Sequence, residues 1–431
     1  MIKYYFKEDK MLRLFIRLIL LISIISVSSA KEIDLKYVQK RAQETSPLKK
    51  QSSLFIKLND LEKSNNSTAY YPQFSFDVQG TYQSDVFALP FKIPTMSVPA
   101  IPKDQYKALF NINQLVWDGG AVSANLSRSD MDLAVNNQLT EVNLFKIKET
   151  LNQIYFNILF LQDNLKTLNS ALALLDSNRS MIESAVKNGV MLKSNLESIN
   201  IEIIKTKQKI SEINSDKQSL IRMLSLWIDE DLPKDVILST PQSETITEET
   251  ANRPEFRFYD LRQKQAESGK DLISSTLNPK FMLFGQGGYG APNQLNMFET
   301  TGSFYYIVGV KMQWMPFDWF NGSRKKESID INKTMINIEK DNFDKTLKIS
   351  LVKDKEDIDK YSALIVSDEE ILNRQKNIVA EYYSRLKNNT ITITDYLYQV
   401  NQQTLYDISL NVHKLQKINS VISLLTKSGN Y

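Results

Sequence analysis

Tyr71-Pro72-Gln73-Phe74-Ser75-Phe76-Asp77-Val78-Gln79-Gly80-Thr81-Tyr82 has a counterpart in Asn278-Pro279-Lys280-Phe281-Met282-Leu283-Phe284-Gly285-Gln286-Gly287-Gly288-Tyr289. Pro72 and Pro279 are 207 residues apart, Gln79-Gly80 and Gln286-Gly287 keep that offset, and Pro47 and Pro254 each stand 25 residues before those prolines. Farther on the offset falls to 200: Trp117-Asp118 matches Phe317-Asp318, and Lys187-Asn188-Gly189 matches Lys387-Asn388-Asn389. The missing seven residues fall between the paired strands, where the first copy has a loop with Pro90, Pro94, Pro99 and Pro102. The chain is a tandem repeat, and each copy reads helix, strand pair, long helical hairpin.

The strand segments alternate with period two. Phe74, Phe76, Val78, Gly80 and Tyr82 share one face, while Gln73, Ser75, Asp77, Gln79 and Thr81 share the other. The same pattern runs through Tyr106, Ala108, Phe110 and Ile112, through Phe281, Leu283, Gly285, Gly287 and Tyr289, and through Phe304, Tyr306, Val308, Val310 and Met312. Segments of about ten residues with one apolar face fit transmembrane β-barrel strands. A soluble antiparallel sheet with one wet face gives the same alternation. Four strands do not close a barrel, and an open sheet edge is not tolerated in lipid, so membranous strands require an oligomer.

The helical segments are set by the absence of breakers. No proline lies between Pro102 and Pro233 or after Pro316, and Gly189 stands alone near the middle of the first run. Leu144, Ile147, Leu151, Ile154, Ile158, Leu161, Leu165, Leu168, Leu172 and Leu175 alternate spacings of three and four, the a/d seam of a coiled coil. A second seam runs through Leu196, Ile199, Ile203, Ile210, Ile213, Leu220, Leu224 and Trp227, and a third through Ile358, Tyr361, Ile365, Leu372, Val379, Tyr382 and Leu386. The hairpins are expected to turn near Gly189 and Asn388-Asn389.

The expected division is therefore a targeting segment at 1–30 and a first repeat at 31–232. That repeat holds an N-terminal helix, a strand pair at 72–117 and a helical hairpin at 120–228 with its tip near 188–194. A linker at 233–250 leads to the second repeat at 251–431, with strands at 279–317 and a hairpin at 322–427 whose tip lies near 387–394. Basic residues up to Arg17, the apolar run Leu18 to Val27 and the small Ser28-Ser29-Ala30 read as an export signal, too short to span a bilayer. Met11 is an equally good start.

Composition removes several function classes. The chain has no cysteine and one histidine, His413, which excludes thiolate chemistry and paired-imidazole metal sites. Of its 53 basic and 50 acidic side chains, five and two fall in residues 1–30, leaving 48 of each in the body. A neutral body lacks the basic footprint of a nucleic-acid binder. Gly285-Gln286-Gly287-Gly288-Tyr289-Gly290 satisfies the G-x-G-x-x-G dinucleotide pattern, but Ala291-Pro292-Asn293 and another strand follow it rather than a phosphate-binding helix. His413, among polar neighbours, reads as a surface residue. No catalytic constellation, cofactor site or metal site is expected, and the chain reads as a non-enzyme.

This arrangement resembles the TolC-like outer-membrane efflux proteins. The residues that carry the resemblance are the Pro-x-Phe strand starts, Leu115-Val116-Trp117-Asp118-Gly119-Gly120 at a strand-to-helix junction, and Arg253-Pro254-Glu255 at the head of the second copy. The resemblance implies a mainly α fold with transmembrane β: a homotrimer whose twelve strands form one barrel in the bacterial outer membrane. Its helices would continue as an α-helical tunnel through the periplasm. It implies a passive exit duct of a tripartite efflux or type I secretion system, docked through a periplasmic adaptor to an inner-membrane transporter. An exported coiled-coil structural or adhesive surface protein is the alternative.

Within that resemblance, the hairpin tips meet the adaptor and close the periplasmic end. The tip residues here are Asn188, Gly189, Val190, Asn389, Thr390 and Ile391, and turning the chain explains them equally well. The helices that follow begin at Ser194-Asn195 and Thr394-Asp395, where Ser and Thr suit N-cap positions. Relatives carry two acidic residues one turn apart after the second tip, forming a carboxylate ring at the entrance. Asp395 falls on the first position, and Tyr398 stands at the second. The entrance set is thus Asp395, Tyr398, Thr394 and Asn195, with Asp395 also suited to complementing its helix dipole.

Overall fold

The computed structural model describes residues 33–87, 100–242, 252–296 and 299–431. The export segment 1–30, the loop prolines Pro90, Pro94 and Pro99, and the linker from residue 243 to 250 lie outside the described residues. The elements are α1 (Leu35–Thr45), α2 (Lys49–Ser67), β1 (Gln73–Tyr82), β2 (Asp104–Trp117), α3 (Ala121–Lys187) and α4 (Lys193–Ile228). Then follow α5 (Pro254–Ser275), β3 (Lys280–Ala291), β4 (Ser303–Gln313), α6 (Asn321–Lys387) and α7 (Ile393–Ser428). The duplication is visible in the lengths: α3 and α6 have 67 residues each, and α4 and α7 have 36 each.

Two compact units cut across the repeats. One comprises Met1–Ser46, Lys146–Thr250 and Leu351–Tyr431, and the other Pro47–Phe145 and Ala251–Ser350. Each unit therefore draws on both copies.

The second unit is built on a four-stranded antiparallel sheet in the order β1-β2-β3-β4. Its register pairs Phe76 with Phe110, Phe110 with Gly287, and Gly287 with Tyr306, which joins the apolar faces of the four strands into one. A register shift between Leu115 and Trp117 brings Trp117 opposite Phe281 and keeps the aromatic on that face. The G-x-G-x-x-G stretch lies inside β3, paired on both sides. Gly288 within this stretch and Gly309 on β4 show what strand glycines do here. A Cβ on Gly288 would meet the Ala108 carbonyl oxygen at 2.5 Å and Leu109 Cδ2 at 2.6 Å, and one on Gly309 would meet the Phe284 ring at 2.8 Å. These glycines make room for the backbone and side chains of the neighbouring strands.

Strand passes to helix at an aspartate corner. Asp118 is 4% exposed; its Oδ1 accepts from Gly120 N (3.0 Å) and the Tyr70 hydroxyl (3.1 Å), and its Oδ2 accepts from Val122 N (2.5 Å). Gly119 and Gly120 take φ of +77° and +96°. In the second copy Asp318 Oδ2 accepts from Gly322 N at 2.6 Å, the same bond 200 residues later. Arg253 and Glu255 form a buried bidentate pair (Nε–Oε2 2.9 Å, Nη2–Oε1 2.6 Å), with the guanidinium 4.3 Å from the Phe145 ring centroid. Enclosed charges of this kind are stable only as a pair.

The first unit is a helical core. Of the α3 seam, Leu144 falls at the end of the other unit; Leu151, Ile158 and Leu175 are at most 2% exposed, while Leu161 and Leu172 are half-buried. In α4 the seam follows the expectation through Ile213 and then steps sideways: Ile221, Leu224 and Ile228 are buried, whereas Trp227 is 39% exposed. A straight α-helix drifts by about 20° per heptad from a strict 3.5-residue repeat, so four heptads move the core stripe almost one residue. The chain near Ile33 forms a parallel bridge with Leu238, and the Tyr155 hydroxyl sits 2.8 and 2.7 Å from the Ile33 and Ser239 carbonyls. Gln39 Nε2 donates to Asn152 Oδ1 (2.6 Å), and Asn152 Nδ2 to Thr426 Oγ1 (2.9 Å), tying α1, α3 and α7.

His413 departs from the surface reading. Its side chain is 22% exposed, Nδ1 contacts the Asp368 carboxylate, and the ring stacks on Tyr361 at 5.9 Å, so it fastens α7 to α6.

Gly119→Ala tests the corner. A Cβ there would lie 2.8 Å from both Asn278 Cβ and the Ser275 carbonyl oxygen, at a positive φ. The expected loss is about 2 kcal/mol or more, read as earlier thermal unfolding in detergent. Gly287→Ala, with nothing within 4 Å and no positive φ, is expected to be tolerated.

Candidate functional site

The sheet presents an uncovered apolar face. Phe74, Phe76, Val78, Tyr306, Val308 and Val310 are each 63–76% exposed. Along that face chemistry varies with height. By register, Tyr82, Tyr106, Tyr289 and Phe304 lie toward the loop end, with Val78 and Ala108 in the row of the last two; Phe74, Ile112, Gly285 and Val308 share a middle row; Trp117, Phe281 and Met312 share a row at the helix end, with Trp314 just beyond it. From the row of Phe304 to the row of Met312 is eight residues, about 27 Å of strand at about 3.4 Å per residue. An apolar band of about 25 Å between two aromatic girdles is what a lipid-facing barrel wall presents.

The opposite face is polar along β1 and mixed on β2, β3 and β4, where Leu109, Phe284 and Ile307 stand among polar residues, and it is cross-linked. Asn111 Nδ2 donates to Asp77 Oδ2 (2.6 Å) and Gln286 Nε2 donates to Asn111 Oδ1 (2.9 Å), a ladder across β1, β2 and β3. Lys107 and Lys311 share this face by register. It suits a wet lumen. Among the described residues the outer edges of β1 and β4 have no strand partner.

The hairpin tips, in the helical unit, are two copies of one turn. Gly189 N donates to Val186 O and Val190 N to Ala185 O; Asn389 N donates to Leu386 O and Thr390 N to Arg385 O. Both are Schellman closures, with the left-handed residue Gly189 at φ +70° and Asn389 at φ +55°. The sequence-expected tip residues Asn188, Gly189, Val190, Asn389 and Thr390 are exposed. Ile391 turns inward instead, packing with Met191 and Val186 against a core of Ile182, Ile199, Leu386, Ile393 and Tyr396. That core draws on both hairpins and brings the two tips together.

The helix starts differ from the expectation. The N-caps are Leu192 and Thr392, not Ser194 and Thr394, because the chain leaves its extended conformation two residues earlier. Leu192 makes no side-chain cap. Thr392 forms a full capping box: Asp395 N donates to Thr392 Oγ1 (3.2 Å), while Asp395 Oδ2 accepts from Thr392 N (3.0 Å) and Thr392 Oγ1 (2.6 Å). These bonds hold the Asp395 carboxyl below its ordinary value of 3.8 although it is fully exposed. Asn195 is half-buried, Thr394 is exposed, and Tyr398 is 60% exposed one turn beyond Asp395.

One pairing was hidden from the sequence. Asn178, 3% exposed between Leu175 and Ile182, donates from Nδ2 to the Tyr396 hydroxyl at 2.8 Å. Burial raises the Tyr396 pKa, so the phenol stays neutral and available. A lone amide on a leucine seam is the available signal, since polar seam residues set helix register.

No family model and no curated protein matches the sequence. Solved structures do match the fold. CusC, described through its transmembrane channel formation, superposes with a TM-score of 0.69 over 93% of this chain and 93% of its own, at 12% identity. The outer membrane protein VceC of Vibrio cholerae gives 0.65 over 92% and 96%, at 13% identity. The CmeC outer membrane channel of Campylobacter jejuni gives 0.62 over 92% and 85%, at 14% identity. The chain has the TolC-like fold of these outer-membrane channels, as the family resemblance of its sequence implies.

Proposed function

We propose that the chain is a passive outer-membrane exit duct. Three copies close a barrel of twelve strands, and the helices extend it as a tunnel into the periplasm. The observation that carries this reading is the girdled apolar face of a sheet whose two edges are open. Each unpaired edge group in hydrocarbon costs several kcal/mol, so the four strands need neighbours, and further copies supply them. Leu54, Leu58 and Leu61 of α2 and Ile331, Met335 and Ile338 of α6 form two i, i+4, i+7 stripes, each residue at least 50% exposed. Such stripes are suited to contacts between copies. The fold shared with CmeC and VceC supports the same reading.

In this duct the tips dock to an adaptor of an inner-membrane pump, using the exposed Asn188, Gly189 and Val190 and Asn389 and Thr390. Asp395, Tyr398, Thr394 and Asn195 stand at the periplasmic entrance, where Asp395 contributes negative charge. The pump supplies the energy, and the duct itself performs no chemistry.

Mass determination of the detergent-extracted membrane particle is expected to give three chains; a soluble monomer or dimer would leave the coiled-coil surface protein in its place. In planar bilayers Asp395→Ala is expected to reduce cation preference. For the native channel that preference holds at neutral pH and fades only as pH falls below 3.8, because protonation of a carboxyl with a lowered pKa comes late. Val190→Asp with Thr390→Asp is expected to abolish export while leaving trimers intact, since these side chains bury nothing in the chain; continued export would refute docking at the tips.

A further inference from the structure

The two strand-to-helix corners differ in one respect that folding does not require. Where the first copy has Gly119-Gly120, the second has Trp319-Phe320, and both aromatics hold left-handed backbone at φ +56° and +61°. Glycine would take that conformation without strain, as it does 200 residues earlier. The strain supports no core packing. Trp319 is 77% exposed and Phe320 66%, and among the described aromatic rings theirs pair with a third exposed one, Phe317, at centroid distances of 5.0 and 5.8 Å. Non-glycine residues kept in such conformations mark places where position matters more than local stability.

The surroundings indicate what the rings meet. Trp314, 54% exposed, carries the apolar face of β4 directly to the corner. One helical turn past it come Arg324, Lys325 and Lys326, where the first copy has Ala124, Asn125 and Leu126. Arg324 donates to the Trp319 carbonyl (3.0 Å), while Lys325 and Lys326 form no ion pair among the described residues. Aromatic rings at the end of a lipid-facing strand, followed at once by unpaired cations, match the headgroup layer: rings settle at that depth and cations pair with acidic lipids.

We infer that the β4–α6 corner is a lipid anchor, with Phe317, Trp319 and Phe320 seated in the headgroup layer of the periplasmic leaflet and Lys325 and Lys326 binding acidic phospholipid. The anchor belongs to the second copy alone. In a trimer it therefore recurs three times around the barrel foot and fixes the depth of the barrel. This inference rests on the barrel reading above.

Tryptophan quenching by brominated lipids tests both separately. The chain has four tryptophans. A variant with Trp117, Trp227 and Trp314 changed to Phe leaves Trp319 as the reporter; a second, with all four replaced and Val308→Trp, reports the middle of the sheet. Both are reconstituted as full chains in phosphatidylcholine–phosphatidylglycerol vesicles brominated at shallow or deep acyl positions. Trp319 is expected to be quenched mainly by shallow bromines and the tryptophan at 308 by deep ones. Bromine carried on phosphatidylglycerol should outperform bromine on phosphatidylcholine at Trp319, and Lys325→Gln and Lys326→Gln should each reduce that advantage by up to about fivefold.

Deep quenching at 308 without any bromine quenching at Trp319 would overturn the anchor and keep the barrel: iodide quenching would then place the ring in water, and its absence would place it under a second copy. No quenching at 308 would overturn the barrel and the anchor together. In a separate measurement, Trp319→Gly with Phe320→Gly is expected to leave the thermal unfolding temperature unchanged or raised. A fall would show that the rings serve packing, against the inference.

Discussion

The constraint on which the rest depends is the backbone hydrogen bond at a sheet edge. A strand leaves a row of N–H and C=O groups unpaired on its outer side, and hydrocarbon offers them no partner. The described residues make four strands, and one face of their sheet is apolar and exposed, the character on which the proposed lipid-facing wall rests. Everything proposed about assembly follows: a sheet that cannot close on itself must close with copies, and the uncovered stripes on α2 and α6 are positioned to be covered by them. The bent register at Leu115 and Trp117 serves the same end, because it keeps an aromatic on the apolar face where strict alternation would have turned it to the polar one.

The duplication shows which features geometry demands and which it permits. Both copies keep the aspartate corner, since Asp118 and Asp318 satisfy the first free N–H groups of helices 67 residues long. Both tips keep the Schellman turn, and glycine and asparagine serve it equally because each tolerates left-handed backbone. The copies diverge where the environment differs. Gly119 is crowded by Asn278 and the backbone at Ser275, so only glycine fits; its counterpart Trp319 faces outward and carries a large ring on strained backbone.

Much of this was legible in the chain itself. Freedom from proline and glycine announced the long helices, alternation announced the strands, and the repeat offsets announced where each would recur. Local signals failed where a residue's role depends on a distant one. Thr394 looked like the cap, but backbone conformation rather than residue type decides which hydroxyl meets a free N–H, and Thr392 holds that place. Threonine at 392 with Asp395 three residues on was the readable sign. Trp227 looked like a seam residue because a strict heptad ignores helical drift. His413 looked solvated because Asp368 lies 45 residues away on another helix.

The sequence by itself therefore determined the elements, their duplication and their two-faced character, all of which arise from short-range periodicity and steric preference. Only the tertiary structure decided which residues those faces meet: the joining of four strands into one girdled wall, the pairing of Asn178 with Tyr396 between hairpins, and the contact of His413 with Asp368 between helices. Those outcomes depend on hydrogen-bond geometry and packing between segments far apart in the chain, which periodicity does not encode.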